Sequence, residues 1–204
     1  MIKPEKIDLY KLHKADYVAP KKPVLLHLKP AQYLTVADQG APGSERFTAC
    51  IGALYAVAFT IKMTRKFAGR QDYAVCKLEG QWFFDGDDPG ITPKAEWRWK
   101  LMIRTPDFVT QTDRQQAVAK LLDKGKPREV QEVRLETIDE GTCVQMLHVG
   151  PYDRESETIA MIRTFAGKGG FTIVGPHHEI YLSDPRRVPA LRLKTLLREP
   201  VSRR

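Results

Sequence analysis

Hydrophobic positions along the chain show two kinds of spacing. Phe47 to Ile61, FTACIGALYAVAFTI, is an almost unbroken apolar run. It is shorter than the roughly 20 residues a bilayer needs, so it predicts a well-buried helix rather than a membrane span. Elsewhere apolar and polar residues alternate, the period of a strand with two different faces. In HHEIYLSDP, His177 to Pro185, one face carries His178, Ile180 and Leu182. The other carries His177, Glu179, Tyr181 and Ser183. The Ile180/Leu182 side is a core face. The Glu179/Tyr181 side is either solvent, as on many antiparallel sheets, or the lining of a polar cavity. In AEWRWKLMIR, Trp97, Trp99, Leu101 and Ile103 share a side, opposite Arg98, Lys100, Met102 and Arg104.

The elements recur. WKLMIRTP, Trp99 to Pro106, aligns without a gap with LKTLLREP, Leu193 to Pro200. Upstream of each lies a strand and a turn carrying Asp-Pro, QWFFDGDDPGITP and then IYLSDPRRVP. Further upstream come helical stretches, roughly Ser44 to Phe67 and Arg154 to Lys168, each preceded by a strand. Each half therefore reads strand, helix, strand, strand. The predicted fold is α+β, a duplicated strand–helix–strand–strand module with pseudo-twofold symmetry. It has an antiparallel sheet with helices on one face and a ligand cleft at the repeat junction. Residues 1–29 form an N-terminal extension and 30–204 the ligand-binding domain. Within that domain the first repeat covers about 30–110, a linker helix about 111–126 and the second repeat about 130–201. The linker, TDRQQAVAKLLDKGKP, ends in a Gly-Lys-Pro stop.

Composition adds limits. Of the 204 residues, 42% are hydrophobic and 28% charged, an ordinary globular balance. The start, MIKPEKIDLYKLHK, shows no apolar signal region. Cys50, Cys76 and Cys143 have no metal spacing and cannot all pair, which favours a reduced, cytoplasmic protein. The net charge of +8 is spread along the chain and accompanied by no nucleic-acid-binding motif, so a generally basic surface accounts for it. His177 and His178 are adjacent, hence on opposite strand faces, and no metal set or cofactor motif is present. His148 alternates with Met146 and reads as structural.

The candidate chemistry is a single acid among rings. All three tryptophans, Trp82, Trp97 and Trp99, lie on one predicted hairpin, with Phe84 on the Trp82 face. Buried indoles seek a partner for their N–H. Flat rings beside one carboxylate suit a flat or cationic organic molecule. Glu179 supplies that charge, or serves as a general base toward an electrophilic carbon. Tyr181 is placed to donate a hydrogen bond beside it, and Tyr152 to reach the same seam. The candidate ligand-binding residues are thus Glu179, Tyr181, Trp82, Phe84, Trp97, Trp99 and Tyr152, with Glu179 and Tyr181 as the catalytic candidates.

These residues resemble a known family. His148-Val149-Gly150-Pro151-Tyr152, then Gly175-Pro176-His177-His178-Glu179-Ile180-Tyr181, then LRLKTLLREPV, resemble the GyrI-like small-molecule-binding domain. KLEGQWFFD and EWRWKLMIRTPDFVT resemble its stand-alone, aromatic-rich branch. The resemblance implies a duplicated fold with a ligand cleft between repeats. It also implies that the Glu at position 179 meets cationic, aromatic ligands, as in drug-sensing members. A branch of the family hydrolyses cyclopropane-bearing alkylating compounds, with the Glu and a Tyr as the natural catalytic pair. No DNA-binding domain accompanies the module here. Three readings follow, in order. The first is capture of small hydrophobic or cationic molecules for drug or toxin resistance. The second is hydrolysis of electrophilic cyclopropane-bearing toxins, and the third is inhibition of a topoisomerase through the basic surface. No membrane partner is expected, nucleic acid is disfavoured, and pairing of two chains into a homodimer is left open.

Overall fold

A computed structural model describes residues 5–83 and 92–204. Its elements in chain order are α1 (Leu9–Leu12), β1 (Val24–His27), β2 (Ala31–Gln39), α2 (Glu45–Phe67), β3 (Leu78–Phe83), β4 (Arg98–Arg104) and α3 (Gln111–Asp123). There follow β5 (Arg134–Ile138), β6 (Thr142–Val149), α4 (Glu155–Lys168), β7 (Phe171–Ile173), β8 (His177–Tyr181) and β9 (Lys194–Arg203). The fold is α+β and its paired strands are antiparallel. The chain runs β2-α2-β3-β4 and later β6-α4-β7-β8-β9, so the second run carries one strand more than the first.

The chain divides into two compact units. The first comprises Met1–Leu12, Ala31–Leu78 and Trp82–Ile138. Its central strand is β2, with β4 on one edge and β5 on the other. Phe47, Cys50, Leu54, Val57 and Ile61 recur at helical spacing and are buried, so α2 is a core helix packed on β2, β4 and α3. Among the described residues, α2 is also the one helix long and apolar enough to cross a membrane. Ser44 caps it by accepting the Phe47 N–H, and Thr110 and Asp113 form a capping box on α3. β4 begins at Arg98, so Trp97 precedes the strand instead of sharing its face. β5, whose sequence RLETI carries two charges, was not visible in the alternation.

The second unit comprises His13–Pro30, Glu79–Gln81 and Asp139–Arg204. β9 is its organising strand. β6 pairs along one edge from Cys143 to Val149. On the other edge, β8 pairs with Thr195–Arg198 and β7 with Val201–Arg203. β1 extends the sheet beyond β6. Pro200 lies where β8 gives way to β7, and its carbonyl accepts the Val174 N–H at 2.9 Å. Gly175 packs directly on that ring: a Cβ there would lie 2.6 Å from Pro200 Cγ. A rigid ring cannot yield as a flexible side chain would. Gly175→Ala is therefore expected to lower stability by about 1–3 kcal/mol, the usual range for overpacking. Urea unfolding measures it, and a loss below about 0.5 kcal/mol would show that the strand start adjusts freely.

Candidate functional site

The alternation of β8 and β9 sorts polar side chains onto two opposite faces of the second unit. His177, Glu179 and Tyr181 share a face with Thr195, Leu197 and Glu199, because Glu179 lies opposite Leu197 and Tyr181 opposite Thr195. His178 and Ile180 share the other face with Leu196 and Arg198.

On the first face, α4 covers the sheet through Thr158, Ile162 and Ala166. Glu155 heads that buried stripe and is itself only 5% exposed. The turn that delivers it is set by the motif His148 to Tyr152. Gly150 has φ 147°, a conformation that favours glycine. His148 Nε2 donates to the Pro151 carbonyl at 3.2 Å, and Nδ1 stands 2.9 Å from the Thr158 hydroxyl. Because a carbonyl only accepts, the proton is on Nε2, and Nδ1 accepts from Thr158. His148 thus pins the turn to the first helical turn and has the structural role expected of it.

A carboxyl oxygen of Glu155 lies within 4.8 Å of one of Glu179. Tyr181 shares the face with Glu179, two residues on along β8. Two buried carboxyls this close repel when both are ionised. Burial, and then the charge of the neighbouring Glu179, push Glu155 well above the ordinary carboxylate range. Glu155 is therefore the carboxyl of the two that keeps its proton at neutral pH. Burial and the same carboxylate raise Tyr181 well above the usual phenol value, and Tyr152 to about 12, so both hydroxyls keep their protons. Tyr152 packs its ring edge-to-face on Tyr181 at 6.0 Å and is 40% exposed, which puts it at the mouth of the group. Glu179 itself has 12% of its side chain exposed. An acid–carboxylate pair with a phenol beside it can hold a water or a ligand cation, accept a proton at Glu179 and give one from Glu155 or Tyr181.

His177 completes the face. Its Nε2 lies 3.6 Å from Glu179 Oε1 and its Nδ1 lies 3.6 Å from Glu199 Oε1. Glu199 is buried and receives Arg163 Nη2 at 3.1 Å. The ligand atoms of Glu155, His177 and Glu179 lie within 4.8 Å of one another, close enough to share a cation.

The opposite face holds a second polar group that the alternation had marked as plain core. His178 Nδ1 lies 2.9 Å from Glu140 Oε1, and its Nε2 lies 3.1 Å from Glu79 Oε2. Tyr17 donates to Glu79 at 3.0 Å. Arg198 donates to Glu140 at 2.9 Å, to Gln145 at 2.9 Å and to the Asp16 carbonyl at 2.7 Å. The segment before residue 30 is thus tied into the second unit through Tyr17, Asp16 and β1.

The tryptophans belong to the first unit. Phe47 stacks on Trp82 at 5.8 Å and meets Trp99 edge-on at 5.1 Å, and Trp82 meets Trp97 at 5.8 Å. Trp97 donates to the Thr92 carbonyl and Trp99 to the Gly40 carbonyl. Trp99 is fully buried, and the buried Trp82 Nε1 has no hydrogen-bond partner among the described residues. Phe84 lies outside the described residues.

Sequence reasoning singled out Glu179, Tyr181 and Tyr152, which the structure brings together. It missed Glu155, whose signal was an acid heading a helical stripe of buried residues, and it passed over His177 and Glu199.

Comparison with known proteins agrees with this architecture. An uncharacterized conserved protein from Listeria innocua superposes with TM-score 0.90 at 36% identity, covering 97% of this chain and 100% of that one. A protein described as a hydrolase from Listeria innocua superposes with TM-score 0.87 at 35% identity over the same shares. The EcmrR C-terminal domain shares the fold, with TM-score 0.61 at 10% identity, covering 90% of this chain and 98% of that one. No protein with a curated description matches the sequence. The family model of the GyrI-like small molecule binding domain matches residues 22–202, and the chain therefore belongs to the GyrI-like family.

Proposed function

We propose that this protein captures small electrophilic molecules and hydrolyses them, with Glu179 as general base and Glu155 and Tyr181 as proton donors. The observation that carries this reading is the buried Glu155 carboxyl within 4.8 Å of Glu179, on the face that also carries Tyr181. Paired carboxyls driven to opposite protonation states are the usual equipment of acid–base catalysis. The likeness to a protein described as a hydrolase, at 35% identity over almost the whole chain, supports the same class.

For a strained ring conjugated to a carbonyl, such as an activated cyclopropane, the step balances within the pair. Glu179 takes a proton from water, and the water oxygen bonds to the electrophilic ring carbon. The ring C–C bond breaks and its electron pair moves to the conjugated oxygen. That oxygen takes a proton from Glu155 or Tyr181. The proton held by Glu179 then passes to whichever donor was used, Glu155 or Tyr181, and restores the starting state. The net change is addition of one water. A role in toxin resistance in the cytoplasm follows naturally from such chemistry and from three buried free cysteines.

The test is incubation with a cyclopropane-bearing alkylator, with product followed by mass. The expected product is heavier by one water, its formation is indifferent to EDTA, and Glu155→Gln slows it about tenfold or more. Tight binding with no product would leave capture alone, the reading favoured by a largely buried anion beside two tyrosine rings. Loss of turnover with EDTA would point to a metal at the same three side chains.

A further inference from the structure

His177 is the unexplained member of the site face. It is buried, and neither ring nitrogen has a hydrogen-bond partner among the described residues. Glu155 is buried as well, and its Oε1 is likewise without one. Buried polar atoms are as a rule partnered, so orphaned atoms on two adjoining side chains call for a ligand. A ring nitrogen of His177, a carboxyl oxygen of Glu155 and one of Glu179 all lie within 4.8 Å of one another. His177 Nε2 is 3.6 Å from Glu179 Oε1. Two ligands of a tetrahedral zinc ion, each about 2.1 Å from the metal, stand about 3.4 Å apart. The His177–Glu179 spacing therefore already matches, and Glu155 has to close by at most about 1.4 Å.

We propose that Glu155, His177 and Glu179 form a site for one divalent transition-metal ion of the zinc type, and that the bound ion ties up Glu179 and blocks hydrolysis. Two carboxylates balance the two charges of the ion, and the imidazole adds the nitrogen ligand that suits zinc. Calcium takes six to eight oxygens, more than these side chains offer. Glu199 stands behind the histidine. With Nε2 on the metal the ring proton sits on Nδ1, which faces Glu199 Oε1 at 3.6 Å. Glu199 is in turn held by Arg163 Nη2 at 3.1 Å. A carboxylate behind a ligating histidine orients the ring and raises its basicity toward the metal. Glu179 has 12% of its side chain exposed and Tyr152 lies at the mouth, so an ion has a way in. The first unit supplies a contrast. Asp38, Cys50 and Glu132 are equally close together, but Arg46 donates to both carboxylates and is itself the cation there. Among the described residues no side chain plays that part for the His177 nitrogens and Glu155 Oε1. The blocking role rests on the hydrolytic reading above, because a carboxylate bound to a metal cannot take a proton from water. The site itself does not depend on that reading.

Two readouts test it. In the first, Zn2+ alone is titrated calorimetrically into protein stripped with EDTA and then freed of chelator. One ion is expected per chain. His177→Gln and Glu155→Gln should each weaken binding by more than about a hundredfold, and Glu199→Gln by about 10–100-fold. Cobalt(II) in place of zinc should give visible d–d bands without a thiolate charge-transfer band, which separates this site from the three free cysteines. A Kd weaker than about 1 mM overturns the site. So does a thiolate band, or undiminished binding in folded His177→Gln and Glu155→Gln proteins. If one of these variants does not fold, the other decides together with Glu199→Gln. In the second readout, turnover of a cyclopropane-bearing alkylator is compared in EDTA and in saturating Zn2+. Zinc should lower it by about tenfold or more and EDTA should restore it, with more zinc needed for Glu199→Gln. Turnover that zinc leaves unchanged or raises overturns the blocking role. If the wild-type protein shows no turnover at any zinc level, the hydrolytic reading falls while the zinc titration still decides the site.

Discussion

Glu179→Gln is expected to reduce turnover of an activated cyclopropane by about 10²–10⁴-fold, the range typical of a lost general base. Gln preserves the size of the side chain and keeps an acceptor oxygen for the Tyr181 hydroxyl, so the pocket geometry is largely retained. It cannot take a proton from water at neutral pH. It also removes the carboxylate that helps hold Glu155 protonated, since burial acts first on Glu155 and the Glu179 charge second. Glu155 therefore stays protonated by burial or ionises without a base partner, and neither state restores the pair. Binding should survive in part: quenching of intrinsic fluorescence by the alkylator should still saturate, because the rings of Tyr152 and Tyr181 remain. A cationic ligand should bind more weakly than a neutral one of the same shape. Retention of turnover within tenfold of wild type would remove Glu179 from the chemistry. Charge reversals of surface Arg and Lys residues provide the contrast. They should leave turnover unchanged, whereas an inhibitor of a topoisomerase working through its basic surface would lose activity in them.

The alternation in HHEIYLSDP was sufficient to place Glu179 and Tyr181 on one face, because a strand's period of two is fixed by backbone geometry. The apolar run from Phe47 was sufficient for α2. Glu155 was hidden for a different reason. Its partner comes from a strand 24 residues later in the sequence, and only packing of α4 on β8 and β9 brings the carboxyls together. His178 was misread as plain core because burial and apolarity were treated as one property. It is fully buried, but its partners are Glu79, 99 residues away, and Glu140, 38 residues away. β7 and β5 were illegible because three residues, or five carrying two charges, have no periodicity to read until β9 and β2 supply the pairing. Trp97 shows the same limit at a strand end: the pattern assigned it a face, but the strand starts one residue later.

The buried network on the other face of the second unit should set the acid side of the pH dependence of stability. His178 has an acceptor at both nitrogens, which requires the imidazolium. Burial disfavours that charge, yet Glu140 and Glu79 raise its pKa above the ordinary 6.5. Glu140 is likewise opposed by burial, but His178 and Arg198 bring it down from 4.5 to about 2. The signs then run as follows for the two groups. Glu140, depressed in the fold, contributes stability that is complete above about pH 4.5 and is lost as pH falls toward 2. That contribution is about 3 kcal/mol, taking about 1.4 kcal/mol per unit. His178, raised in the fold, contributes stability that is complete below about pH 6.5 and is lost as pH rises through its folded value. Stability measured by urea unfolding should thus be greatest near pH 4.5 and fall on both sides, the alkaline fall being shared with Glu155, whose raised carboxyl loses stabilisation as pH climbs above about 4.5. Arg198→Met removes the donor to Glu140, Gln145 and the Asp16 carbonyl at once and leaves a buried carboxylate with less compensation. The expected loss at pH 6 is about 3–5 kcal/mol, the usual result of breaking a buried ion pair from one side. Glu140→Gln in the same background should recover part of that loss, because it removes the charge that Arg198→Met leaves exposed to a low-dielectric interior. It should also flatten the acid side of the profile while leaving the alkaline side in place. An Arg198→Met protein within 1 kcal/mol of wild type, or a Glu140→Gln protein with an unchanged acid limb, would mean that the charges of this network are not coupled to folding.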